Sequence, residues 1–297
     1  MKTRTLAIAA MMLIAASCGE RKGAYDASGV FETTEVTVSA EGSGKIMKLN
    51  ISEGDMVHAG DTLGLIDTTQ LYLSKLQLEA NIRAVSSSRH DVKKQIASLE
   101  QQIAKQRTEL ARFTKLAAAG AAGQKNVDDI QAQINVLEKQ LTAQKETLQN
   151  ANSSVSGQTA ALEAQVKQLE DRISKCIIIS PISGTILAKY MEPGELAATG
   201  RVLFKVADTE NIRLRAYINA SQLSELKLGQ EAKVYADQGE RGRKEYNGKL
   251  VWISEQAEFT PKTIQTRDER ANLVYAVKIA VKNDGLIKLG MYGEVKF

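Results

Sequence analysis

The sequence predicts an elongated α+β protein. A small β-sandwich in two halves is split by an inserted antiparallel α-helical coiled-coil hairpin and followed by a small antiparallel β-barrel. Three observations predict this. Residues 41–67 and 181–208 share one glycine pattern, residues 68–179 carry an apolar seam of period 3.5, and from Asp208 short strand-like runs replace the helical pattern.

The halves of the sandwich are "EGSGKIMKLNISEGDMVHAGDTLGLID" and its echo in "SPISGTILAKYMEPGELAATGRVLFKVAD". Gly44, Gly54 and Gly60 recur 140 positions later as Gly184, Gly194 and Gly200, and Ile46, Leu63 and Ile66 recur as Ile186, Leu203 and Val206. Each half reads as short strands punctuated by turns, where glycine supplies the positive φ that other residues resist. Two such halves stack into a pseudo-symmetric sandwich. Their expected extents are 28–67, with a leading strand, and 180–207.

The hairpin occupies 68–179, a stretch without proline. On the ladder 71, 75, 78, 82, 85, 89, 92, 96, 99, 103, 106, 110, 113, 117, eleven of fourteen positions are apolar; Lys75, Arg89 and Gln106 are the exceptions. A seam of this period over several heptads signals a coiled coil. The turn falls in "AAAGAAGQKN", 117–126, with Gly120 and Gly123 as helix stop and turn. The seam resumes at Val127 and slips near Leu162 by a four-residue stutter. Two arms of similar length result, each roughly 70 Å long at ~1.5 Å per residue. Ser86–Ser88 and the "SSVSG" run at 153–157 are expected to face one another. Both are poor helix formers, which raises a compliant joint against the plainer reading of exposed serines.

Residues 208–297 read as a barrel, with strands in "NIRLRAYI", "EAKVYA", "GKLVWIS", "NLVYAVKIAV" and "GEVKF" and a short helix in "SQLSEL". Alternation is read at Leu214, Ala216 and Ile218 and again at Val274, Ala276 and Lys278. "KLGQEAKVY" and "KLGMYGEVK" form a second echo, "RGRK" at 241–244 a solvated turn, and Trp252 barrel core or rim. The "SGVFETTEV" segment, 28–36, could supply a further barrel strand.

At the other end, Lys2 and Arg4 precede an apolar run, Leu6–Ala16, too short to span ~30 Å of hydrocarbon. It reads as an export signal, 1–17, followed by a linker, 18–27. Small residues before Cys18 resemble a lipobox, which implies a lipid anchor on that thiol; secretion with an incidental cysteine is the plainer alternative. Cys176 sits among apolar residues and is expected to be buried and inert. A net charge of +4, evenly spread, gives no argument for nucleic acid. No GxxxxGK[ST] loop occurs, and His58 and His90 stand without metal-ligand neighbours, so no enzyme, cofactor or metal is expected.

The glycine pattern resembles that of biotinyl-lipoyl carrier domains. The same domain split by a coiled-coil hairpin, with the "SPISGTI" entry to its second half, resembles the HlyD-like membrane fusion proteins, the periplasmic adaptors of bacterial exporters. A carrier domain needs a lysine at the turn between its halves. Here "DTTQLYLSK" follows Ile66 with no lysine before Lys75, on the coiled coil, so the resemblance implies the fold without the carrier chemistry. As an adaptor, the chain would stand on the inner membrane of a Gram-negative bacterium. Several copies would form a ring, hexameric in the family pattern, with hairpins reaching a TolC-type outer-membrane channel. "TPKTIQTRDERANLVYAVKIAV" resembles the barrel segment of adaptors paired with ABC exporters, implying an ABC permease and ATPase as partners, with a proton-driven RND-type pump as the alternative. TolC-docking adaptors resemble one another at the tip in an Arg, a Leu four residues on and a Ser seven further; Arg112 and Leu116 match, and Gly123 departs. From other classes, a structural periplasmic coiled-coil scaffold and a biotin or lipoate carrier subunit remain open.

Overall fold

The structure is a computed structural model that describes residues 25–237, 239, 242–259 and 273–297. The export-signal segment, Cys18 and residues 260–272 lie outside the described residues.

The sandwich is a pair of four-stranded sheets. One orders β2 (Glu35–Ser39), β9 (Val202–Ala207), β7 (Gly184–Lys189) and β4 (Met56–Val57). The other orders β6 (Ile177–Ile179), β5 (Thr62–Ile66), β3 (Gly44–Leu49) and β8 (Leu196–Ala197). Each sheet mixes both halves, and the hydrogen bonds obey the 140-residue offset. Gly54 N donates to Ile186 O and Gly194 N to Ile46 O, both at 2.8 Å; Gly60 N donates to Ser180 O and Gly200 N to Ala40 O, again at 2.8 Å. The turns of one half are thus closed by the other, and neither half is complete alone. Between the sheets, Ile46, Ile66, Leu203, Phe204 and Val206 are fully buried and Ile186 is 1% exposed. Full burial of such side chains contributes ~1.5–3 kcal/mol each. The symmetry reaches past the glycines: β2 and β6 also stand 140 residues apart.

The hairpin consists of α1 (Thr69–Ser87), α2 (Val92–Ala118) and α3 (Gln124–Ser174). The expected pair of matched arms is therefore corrected: the first is broken at 88–91 while the second runs unbroken. Every ladder position of the first arm except Arg89 is buried or half-buried. Ion pairs Lys75–Glu170 (2.6 Å), Glu100–Lys145 (3.2 Å) and Arg107–Glu138 (2.6 Å) cross between the arms, and in each the residue numbers add to 245. One antiparallel register thus holds on both sides of the break. The seam slip lies earlier than Leu162. Lys145 and Thr159 are half-buried where Gln144 and Gln158 are exposed, so the shift begins just after Leu141. The hairpin's buried side chains are Ile96, Ile103, Ile134, Leu137 and Leu148, all on the tip side of the break.

The barrel closes in the order β1 (Ala27–Glu32), β10 (Asn211–Asn219), β13 (Leu273–Lys282), β12 (Arg243–Phe259), β11 (Glu231–Asp237) and β14 (Tyr292–Lys296). The strand expected to lead the first sandwich half from residue 28 is thus divided, β1 to the barrel and β2 to the sandwich. The "KLG" echo explains why β1 is needed. Val234 and Val295, equivalent in the echo, are register partners on β11 and β14. Gly229 N donates to Leu250 O and Gly290 N to Phe31 O, both at 2.8 Å. Phe31 thus gives the second turn what Leu250 gives the first.

Three barrel expectations change. On β13 the inward residues are Val277, Ile279 and Val281; Ala276 is buried but lies on the other side of the strand, in register with Tyr217, and Lys278 lies outside, paired with Glu32 at 2.6 Å. Arg243 and Lys244 belong to β12 rather than to a turn, and pair with Glu294 and Asp284. Trp252 is on the outer wall, 39% exposed, with Lys278 Nζ 5.3 Å from its ring centre. The expected short helix is α4 (Ala220–Leu223), closed by a reciprocal capping box of Asn219 and Gln222.

Candidate partner-binding surfaces

The hairpin tip gathers the three residues singled out in the sequence. Arg112 and Leu116 lie one turn apart at the end of α2. The Arg112 side chain is 68% exposed, 3.8 Å from Glu109 and 6.0 Å from the Phe113 ring centre. Neither contact immobilises an exposed guanidinium, so it is free to engage a partner. Leu116 is half-buried, and its carbonyl accepts from Ala121 N at 2.9 Å as the helix ends. Gly123 is the N-cap of α3 with φ −75° and ψ 142°, and nothing lies within 4 Å of where its Cβ would stand. The backbone therefore does not require glycine here. A serine would fit, and its hydroxyl would cap α3.

At the base, β5 passes through Asp67 and Thr68 straight into α1. Asp67 Oδ1 accepts from Thr69 N (2.9 Å) and Thr69 Oγ1 (2.6 Å), and these bonds hold its carboxyl below the ordinary carboxylate range. Lys75 lies in the seam against Glu170. The turn that would present a carrier lysine is replaced by the roots of the helices. Of the turn glycines, Gly54 and Gly194 take φ of +95° and +99°, and Gly60 and Gly200 +90° and +85°. Gly44, with φ of +152°, is also closely approached, a Cβ there standing 3.0 Å from Ile66 Cγ2; Gly184 is needed for close approach alone, a Cβ there standing 2.1 Å from Ala207 O.

Cys176 is fully buried beneath Gly42, and burial pushes its thiol pKa up, with Asp67 adding to the effect. Such a thiol is a poor nucleophile. Among the described residues no group of three or more His, Cys, Asp or Glu is placed to hold a metal. Among them, too, no helix is long and apolar enough to cross a membrane.

A further surface was not legible from the glycine pattern. Met47, Leu65, Ile177 and Ile179 lie on the outward side of the sheet β6-β5-β3-β8, between 37% and 53% exposed. Their equivalents 140 residues away are Leu187, Lys205, Thr37 and Ser39, and Lys205 is paired with Glu35 at 3.0 Å. At three of these four positions one face is apolar where the other is polar; Leu187 is the exception, and Lys48 stands beside Leu65 on the more apolar face. The apolar face belongs to the sheet from which both arms spring. On α1, Tyr72, Leu73 and Leu76 are also exposed. The signal available in sequence was the mismatch of outward residues between the repeats, Thr37 against Ile177 and Lys205 against Leu65.

Comparison with known proteins agrees with this architecture. The family model described as "RND MFP, barrel-sandwich hybrid domain" matches residues 34–209. A "UPF0194 membrane protein" of Yersinia pseudotuberculosis serotype O:3 is 29% identical over 283 residues, covering 86% of this chain and 84% of that protein. The "UPF0194 membrane protein YbhG" of Salmonella gallinarum is 27% identical over 305 residues, covering 91% and 87%. Among solved structures, MacA from Actinobacillus actinomycetemcomitans is similar with a TM-score of 0.53 at 22% identity, over 91% of this chain and 76% of that one. That likeness speaks for the fold: helical hairpin, split sandwich and six-stranded barrel. The chain belongs to the membrane fusion proteins, the family of periplasmic adaptors.

Proposed function

We propose that this periplasmic adaptor links an ABC-type exporter of the inner membrane to a TolC-type outer-membrane channel, as one member of a ring anchored through a lipid on Cys18. The observation that carries the reading is the pairing of an unbroken 51-residue helix with a rigid β base. At ~1.5 Å per residue that helix spans ~75 Å. A protein of this shape bridges and seals. The adaptors of its family are non-enzymatic and bridge an inner-membrane transporter and an outer-membrane channel.

The apolar sandwich face supports self-association. Neighbours in a ring with parallel hairpins meet at the roots of those hairpins, where Leu65, Ile177 and Ile179 are exposed. Solubility alone would favour the polar set found at the equivalent positions. The occupant of this face is a second copy of the chain. Preference for an ABC partner rests on the resemblance of "TPKTIQTRDERANLVYAVKIAV" to ABC-paired adaptors. The matching family model is worded for RND systems, and this favours a proton-driven pump as the second reading.

Shortening the hairpin symmetrically tests the bridging role. Replacing residues 110–135 with a short turn keeps the 245 register of the remaining arms. Bridging predicts loss of export with an unchanged barrel and sandwich; normal export by the shortened, folded protein would leave a scaffold.

A further inference from the structure

We propose that residues 88–91 form a one-sided hinge, latched by Asn152, about which the tip segment of the hairpin turns on its root segment. The first arm is not kinked here; it ends and restarts. Ser88 N donates to Val85 O at 3.1 Å as α1 stops, and Asp91 caps α2 by accepting from Lys94 N at 3.3 Å. Two complete helix termini face each other across four residues.

The seam is also interrupted. Arg89 is the one ladder position of the first arm left exposed, so at this level the first arm contributes no seam side chain to pack on half-buried Val155. A single amide bridges the arms instead. Asn152 Oδ1 accepts from His90 N at 2.8 Å, and Asn152 Nδ2 donates to His90 O at 2.9 Å. These two bonds satisfy a backbone donor and acceptor that lost their helical partners at the break. The latch can open, because water can replace both bonds at an exposed site.

The opposite arm is built to yield at the same height. By the 245 register, residues 88–91 face 154–157, which are Ser154, Val155, Ser156 and Gly157. Serine and glycine are weak helix formers, and no atom lies within 4 Å of a Cβ placed on Gly157. Ser156 Oγ donates back to Asn152 O at 2.9 Å, a bond of the kind that bends helices. Cross-arm ion pairs tie each segment within itself, Lys75–Glu170 on the root side and Glu100–Lys145 on the tip side. With α3 as the continuous strip and the gap on the other arm, bending lies in the plane of the two arms and opens or closes 88–91.

Hydrogen exchange on the full chain, wild type against Asn152→Ala, tests this. Alanine is the best helix former, so α3 is not weakened by the change. Loss of the latch predicts exchange about tenfold faster over residues 86–95, with 124–150 and 160–174 unchanged. Asn152→Asp, which keeps only the acceptor, should fall between. Spin labels at Gln77→Cys and Gln102→Cys, exposed on either side of the break, should give a broader distance distribution in Asn152→Ala than in the wild type. An unchanged exchange rate at 86–95 with an unchanged distribution would overturn the hinge. So would acceleration spread along both arms, which would mean general loosening.

Discussion

The sandwich and the hairpin are each made of two matched segments, and they treat the match in opposite ways. In the sandwich the halves interlock so closely that backbone bonds repeat to within about 0.1 Å: Ile46 N to Glu195 O at 2.8 Å, Ile186 N to Asp55 O at 2.9 Å. In the hairpin the two arms pair in one register, yet one is broken and the other is not. Packing explains the difference. Residues that close each other's core constrain one another, so most inward positions of the sandwich match, although buried Phe204 answers to Gly64 and buried Leu49 to Lys189. A coiled-coil seam buries few side chains fully and leaves each turn nearly independent, so a local break is tolerated. Two of the mismatches lie where packing leaves room for a role, at the face with Leu65 and Ile177 and at the joint at 88–91.

The largest expected effects are in the sandwich core. Ile46→Ala and Ile186→Ala should each lower stability by about 2–5 kcal/mol in urea unfolding, and by amounts equal within about 1 kcal/mol if the halves are equivalent. Ile103→Ala in the hairpin should leave the β-domain transition in place. A mutation in one half that spared the other would break the interlocked description.

Next come the outward faces. Leu65→Lys with Ile177→Lys should change monomer stability by no more than about 0.5 kcal/mol, as surface substitutions do, while abolishing self-association in sedimentation. Lys205→Ala on the polar face should leave association intact. If both faces behave alike, the asymmetry has no role in assembly.

Smaller still is the tip. Gly123→Ser should stabilise the hairpin by a few tenths of a kcal/mol through N-capping, and raise affinity for a TolC-type channel by restoring the hydroxyl found there in similar adaptors. In the barrel, Lys244 beside Asp284 holds that carboxyl down at about 2, helped by Leu286 N and the Tyr246 hydroxyl. A folded pKa below the ordinary 3.8 means the contribution is present above about pH 4 and lost as pH falls through about 2. Asp284→Asn should therefore flatten the melting temperature between pH 5 and about 2.5 relative to the wild type.

Much of this fold is legible in the sequence, because glycine and buried aliphatic positions are dictated by backbone and core. Gly54 and Gly194 announce positive φ, and Leu63 and Leu203 announce the core between them. What is not legible has no such dictation. Strands β2 and β6 carry no glycine, so their equivalence is invisible until their pairing is seen. β1 is six residues whose allegiance is decided by closure of the barrel, a long-range matter. The break at 88–91 hides because Val85 and Val92 keep the apolar spacing on either side. The tip residues lie together as the turn required, and the apolar sandwich face is a property of exposure, which periodicity does not report.

The most direct test is mild-detergent recovery of the full-length protein from its native membrane, with mass spectrometry of what accompanies it. An ABC permease with its ATPase, together with an outer-membrane channel, is the expected result. A proton-driven pump in their place would keep the bridge and overturn the ABC assignment. Recovery of no transporter and no channel, from protein shown to be folded, would contradict the adaptor role in this chain.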